Sequence, residues 1–202
     1  MKTQFYILFA FLFITSMNLI AQTYPEVTIR DIQYQHPDSL LTIGDKPSPL
    51  IGDTVTVEGI VMNPSYTGEV TTLNSGAPAV FLTDTTSEDF SGILVRYPNG
   101  SSTQFNSIQT GTVAKFTGVV TEYNVTTQFE LIEFDGTTIT DFVEKPEPKL
   151  LTLDSLSLLG SREGKILAEK WEGMYVEVRN VTTTEPAAIG NGSFVIFDGN
   201  NT

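Results

Sequence analysis

A ten-residue pattern occurs twice in this chain, as GDTVTVEGIV at 52–61 and GTVAKFTGVV at 111–120. Both copies read Gly-x-x-apolar-x-apolar-x-Gly-apolar-Val. Gly52 and Gly111 stand 59 residues apart (111 − 52), and so do Gly59 and Gly118 (118 − 59). In each copy the apolar residues alternate, which places them on one face of a β-strand. A glycine inside a strand weakens it unless it marks a bulge, a bend or a close backbone approach. Small closed barrels need such bends, because a long strand must coil to serve two sheet faces. Two shorter strands lie between the copies, Ala79–Thr83 and Gly92–Tyr97, and a fifth follows at Gln128–Phe134. The pattern predicts an all-β fold built on a five-stranded barrel; a sandwich with glycines at bulges is the alternative.

The rest of the chain is read around that centre. Val27-Thr28-Ile29 is a short candidate strand, and HPDSLLTIGDKPSP is a loop leading to the first copy. The long strands run Thr54–Met62 and Thr112–Tyr123. NPSYTGEVTTLNSGAP and PNGSSTQFNSIQTG read as connections, and Thr138–Val143 extends the fifth strand or pairs with it. EKPEPK (144–149) sets two prolines among charges and reads as a linker. Helical signals come only after it. Asp154 can cap a turn through Leu159, and Ser161 can cap Glu163–Trp171.

The N-terminus has the pattern of a secretory signal. A short basic start, Met1-Lys2, precedes a largely apolar run from Phe5 to Ile20, and Ala21 suits a cleavage site before Gln22. No basic stop-transfer flank follows, so no membrane span is expected in the mature chain. A secreted or periplasmic location is therefore expected. The formal net charge is −13, or −14 without Lys2, which repels phosphate backbones. There is no Cys, so thiol catalysis, Cys-ligated metal and disulfides are excluded, and the core must hold the fold. The single His, His36, precludes a multi-His zinc site within one chain.

The succession VTIRDIQ, GDTVTVEGIV, AVFLTD, SGILV, GTVAKFTGVV and TTQFEL resembles the OB-fold region of bacterial extracellular nucleases and other secreted multidomain proteins. The resemblance covers residues 27–143 and rests on structural motifs, so it implies a Greek-key barrel more strongly than an activity. It extends to the C-terminal part. Gly173 falls over Gly52 at an offset of 121 (173 − 52), with Val176 and Val178 over Val55 and Val57. SFVIFD at 193–198 falls over AVFLTD at 79–84 at an offset of 114 (193 − 79). Residues 172–202 thus look like the first hairpin of a second, incomplete OB-like unit, and truncation is expected, because two strands cannot close a barrel. The expected organisation is a signal at 1–21, a lead-in strand and loop at 22–46, a barrel at 47–144, a linker with short helical turns at 145–171, and the second unit from 172.

Chemistry-bearing motifs are few. Asp84, Glu88 and Asp89 lack the spacing of a calcium loop and read as a solvated acidic turn, as does DGNN at 198–201. His36 has no Gly-x-Ser-x-Gly to serve. Trp171 is expected to pack between the two units. Asn99, Asn124, Asn180 and Asn191 head Asn-x-Ser/Thr triplets, which matter only where exported proteins are glycosylated. No catalytic residue, metal or cofactor is assigned. By the resemblance, ligands would lie across the second and third barrel strands, and the candidates are Phe81, Arg96, Tyr97, Lys115 and Tyr123. Single-stranded nucleic acid and oligosaccharide are the two ligand classes for such a face. Gly52, Gly59, Gly111 and Gly118 are assigned structural roles. Lys145, Lys149, Arg162, Lys165 and Lys170 are expected to lie away from the barrel. The leading expectation is a non-catalytic accessory or ligand-binding module. The rivals are the accessory region of an extracellular nuclease with a downstream catalytic domain, and a structural spacer. A binder requires a contiguous aromatic and basic face around Arg96 and Lys115.

Overall fold

The two copies of the glycine pattern pair with each other. They lie antiparallel, with Val57 directly opposite Phe116. These two residues are equivalent in the repeat (116 − 57 = 59), so a local two-fold axis passes between them. The ends are clasped reciprocally. The Gly52 N–H donates to the Val120 carbonyl and the Gly111 N–H to the Val61 carbonyl, each at 2.8 Å. Both glycines hold φ in the left-handed region, +86° and +90°, which a side chain would strain. Between the strands the Thr56 and Thr117 hydroxyls share a hydrogen bond of 2.8 Å.

In this computed structural model the described residues are 23–43, 46–63, 78–85, 89–97, 103–123, 126–134, 136–157, 161–183 and 196–197. Residues 1–22, with the expected signal and cleavage site, Glu88, Asn99, Asn124, Asn191, most of the 63–78 connection and residues 198–201 lie outside them. The elements are β1 (Glu26–Val27), α1 (Ile29–Gln33), α2 (Pro37–Ile43), β2 (Thr54–Val61), β3 (Ala79–Thr83), β4 (Gly92–Arg96), α3 (Thr103–Asn106), β5 (Thr112–Tyr123), β6 (Thr126–Glu133), β7 (Ile139–Phe142), β8 (Lys149–Leu151), α4 (Leu153–Ser157), α5 (Arg162–Trp171), β9 (Val176–Val178), β10 (Thr182–Thr183) and β11 (Ile196–Phe197). The chain is mostly β, with more helix than the all-β expectation allowed. Among the described residues no helix is long and apolar enough to cross a membrane.

Five strands form a ring. β2 pairs antiparallel with β3, β3 with β4, and β5 with both β6 and β2, while β4 pairs parallel with β6. β1 adds a short parallel pairing to β2, and β7 lies antiparallel to β5, so Thr138–Val143 pairs with the fourth ring strand instead of the fifth. Inside the ring, Val57, Val80, Leu82, Ile93, Val95 and Phe129 are buried. α3 inserts Phe105, which meets Phe134 edge-on at 5.8 Å, and Phe134 stacks on Phe116 at 5.1 Å.

β5 shifts register between Thr117 and Gly118 against β6, and a Cβ on Gly118 would fall on the Glu130 carbonyl. At Gly59 the nearest atoms stand 3.1–3.3 Å from a built Cβ, tight but more forgiving. The two inner glycines therefore serve close backbone approach to different degrees. Gly118→Ala is expected to lower unfolding stability by about 1–3 kcal/mol in urea titration, and Gly59→Ala by less. Equal losses would mean that contact with Glu130 is not what Gly118 is for.

Two segments read as strand or loop are helical. Thr28 ends β1 and caps α1: its hydroxyl accepts from the Asp31 N–H (3.0 Å), and the Asp31 carboxylate accepts from the Thr28 N–H (2.9 Å). These bonds hold the Asp31 carboxyl below its ordinary pKa of 3.8. This reciprocal cap turns Ile29 into a helix residue, and Ile29 and Ile32 enter the core. α2 begins at Pro37, a residue pre-set for a first helical turn. In α5, Ser161 caps as expected, accepting from the Gly164 N–H at 3.0 Å.

The span read as a linker holds β8, which pairs parallel with β9 in the register Leu151↔Val178. β1 meets β2 in the same way, Val27↔Val57, and Val178 is the equivalent of Val57 (178 − 57 = 121). After each lead-in strand comes a threonine, Thr28 or Thr152, and then a helix. The third copy also keeps the turn geometry. Gly173, at the place of Gly52, has φ +66°, whereas Asn180 has φ +59° at the place of Gly59, which lies in an ordinary strand conformation within β2. β10 and β11 pair antiparallel, Thr182↔Phe197.

Candidate functional site

The outward residues of β3 and β4, the second and third ring strands, form the face on which ligands were expected. β4 carries Ile93-Leu94-Val95, and alternation turns Leu94 away from the core cluster. Leu94 is nevertheless only 3% exposed. The cover is the chain between α5 and β9. Gly173 crosses Gly92 so closely that a Cβ on Gly92 would fall on the Gly173 carbonyl and the Met174 nitrogen. Polar bonds fix the crossing on both sides. The Phe90 N–H donates to the Lys170 carbonyl (3.0 Å), and the Thr127 N–H donates to a Glu172 carboxylate oxygen (2.9 Å). Ser91 Oγ donates to Met174 Sδ at 3.7 Å. Beside them, Asp89 takes Arg30 of α1 on one oxygen and Lys170 Nζ on the other, the latter at 3.5 Å. The Arg30 guanidinium also lies against the Tyr34 and Phe90 rings, at 5.1 and 5.2 Å.

The five sequence candidates divide. Phe81 and Tyr123 meet in a cleft of about 330 Å³, which Leu94, Gln128 and Glu172 also line. Arg96 stands next to that cleft but is directed within the sheet. Its side chain is 12% exposed, donates to Gln128 Oε1 at 3.2 Å and lies 3.7 Å from Glu130 Oε1. Its charge is thus met inside the protein. Tyr97 packs edge-on against Phe105 at 5.7 Å, at the margin of the core. Lys115 is elsewhere. It pairs with Glu26 at 2.7 Å and faces Glu58 across β2, and these carboxylates raise its pKa. Among the described residues no contiguous aromatic and basic face joins Arg96 to Lys115.

A second cavity, of about 520 Å³, opens on the other side of Gly173. Met62, Asn63, Phe81, Thr110, Lys145, Met174 and Tyr175 line it. Sequence reading missed it, because Lys145 was placed in a linker away from the ring. Lys145 Nζ lies 4.0 Å above the Tyr175 ring. Lys149 and Lys170 flank Trp171 at 5.8 and 4.9 Å, and the buried Trp171 indole N–H has no acceptor among the described residues. His36 is an exposed loop residue whose Nδ1 accepts from the Asp38 N–H (3.2 Å). Asp84 is buried, not part of a solvated turn, and its N–H donates to the Ser91 carbonyl (2.8 Å). Among the described residues no three His, Asp or Glu stand close enough to hold a metal.

Comparison with protein-family models and with curated proteins found no match to the chain.

Proposed function

We propose that the five-strand ring is an OB-like Greek-key barrel and that the chain is a non-catalytic accessory module of an exported multi-unit protein, with a structural role. The ring order β2-β3-β4-β6-β5, its parallel β4–β6 closure and a helix between β4 and β5 support the OB-like reading. The elements from β8 to β11 are read as the opening of a second such unit, because lead-in strand, threonine, helix and glycine turn recur in matching register. The crossing of Gly173 over Gly92 carries the structural reading: the face that OB folds offer to ligands seats the start of the next unit. Strand binding would need free cations beside stacking aromatics, and Arg96 and Lys115 are both committed to carboxylates.

The reading is tested by fluorescence anisotropy with a labelled single-stranded oligonucleotide at low salt, and by incubation of supercoiled DNA with the chain and Mg²⁺ or Ca²⁺. The expected result is neither saturable binding below about 10 μM nor cleavage. Tight binding abolished by Arg96→Ala would restore the ligand-binding module, and cleavage would overturn the non-catalytic reading.

A further inference from the structure

We propose that the 520 Å³ cavity beside Gly173 is a binding site for a small carboxylate with an aromatic or similarly flat apolar body. Its size is that of a small-molecule site. Three walls are soft and apolar: Met62 from the end of β2, Phe81 from β3 and Met174 from the crossing segment. Methionine sulfurs make favourable contacts with aromatic rings and adapt their rotamers to a guest. The fourth wall carries charge. Lys145 is half-buried, and among the described residues its ammonium meets only the Tyr175 ring. Lys115 and Lys170 each meet a carboxylate, at 2.7 and 3.5 Å. Acids outnumber Lys and Arg by 24 to 11 in this chain, so a half-buried lysine without a carboxylate partner stands out. Withdrawal from water favours a counter-ion at that position, and a ligand carboxylate beside Nζ supplies one.

The chemistry narrows the guest further. One cation suits one carboxylate. A phosphodiester strand needs several cations and is repelled by a net charge of −13. Of the polar lining, Asn63 Oδ1 already accepts from the Phe81 N–H at 2.7 Å, and Thr110 and Tyr175 supply the hydroxyls, against three apolar walls from Met62, Phe81 and Met174. That favours an apolar body over a sugar. The walls come from both sides of the crossing, from Met62 and Phe81 on one and Met174 and Tyr175 on the other. A guest that fills them must also hold the crossing closed and raise the melting temperature by mass action.

The test uses the full chain and two probes, phenylacetate and indole-3-acetate, with phenylacetamide as the uncharged control. Isothermal titration is expected to give saturable binding of the acids, weaker by about tenfold or more for the amide and for Lys145→Met. Lys145→Arg is expected to retain binding, and Lys149→Met, a neighbour that does not line the cavity, to leave it unchanged. Thermal melting of each variant without ligand shows that it is folded. Absence of saturable binding up to about 10 mM overturns the proposal, as does equal affinity for acid and amide or indifference to Lys145→Met. The proposal does not depend on the structural reading above, and its failure leaves that reading in place.

Discussion

Phe116→Asp leaves no cooperatively folded ring. Phe116 is fully buried, stands opposite Val57 on the local two-fold axis and stacks on Phe134 at 5.1 Å. Removing a buried Phe side chain alone costs about 3–5 kcal/mol. The replacement puts a carboxylate among the apolar side chains of the core cluster, and desolvation raises the cost by several more. The sum is comparable to the whole stability of a typical domain, about 5–15 kcal/mol. Urea titration followed by circular dichroism should therefore show no sigmoidal transition, and Val57→Asp should behave alike. Phe142→Asp is the control: Phe142 is 63% exposed on β7, and the change is expected to stay within about 0.5 kcal/mol. A cooperative transition retained in Phe116→Asp would refute the ring assignment.

Gly92→Val is expected to detach the crossing while the ring survives. Its Cβ has no place to go, because the obstruction is the Gly173–Met174 backbone and not a movable side chain. The readout is amide hydrogen exchange. The Phe90 and Thr127 N–H groups donate to Lys170 and Glu172 across the crossing, and their protection should fall by about tenfold to a thousandfold. The Val57 and Val120 amides, within the β2–β5–β6 pairings, should keep theirs. Glu172→Ala should reproduce the Thr127 effect alone. Unchanged exchange at both amides would mean that residues 171–174 do not lie on this face.

The ring strands were legible because the signals for them are local. Alternation at Val55 and Val57, the glycine pairs 59 apart and the turn residues between strands are written in consecutive positions. α1 was misread because Val27-Thr28-Ile29 looks like any β-branched run, and only the Thr28–Asp31 cap decides otherwise. The covered face was harder. Its cause is a backbone contact between Gly92 and Gly173, 81 residues apart (173 − 92), which involves no side chain. One trace of it was available: the unbroken apolar run Ile93-Leu94-Val95 signals a strand covered on both faces. Phe81 and Tyr123 line a common cleft, yet the charges assigned to that face were not theirs to use. Whether Arg96 is free depends on Gln128 and Glu130, which reach it through a parallel pairing that no local pattern announces.

The clasp between the two glycine repeats also sets an order of assembly. β3 and β4 are neighbours in sequence, and β5 returns into β6 after two residues, so both hairpins need little loop closure. β2 can meet β5 only after the 50 residues from Met62 to Gly111 have been drawn into a loop. Closure of the ring is then a late and slow event, on the millisecond-to-second scale of folds with distant pairings. Until it happens, β2 and β5 each present an unpaired edge. Because the two repeats share one register, either edge accepts its complement from another molecule as readily as from its own. Refolding at high concentration therefore favours exchanged strands between chains, and dilution favours the closed monomeric ring.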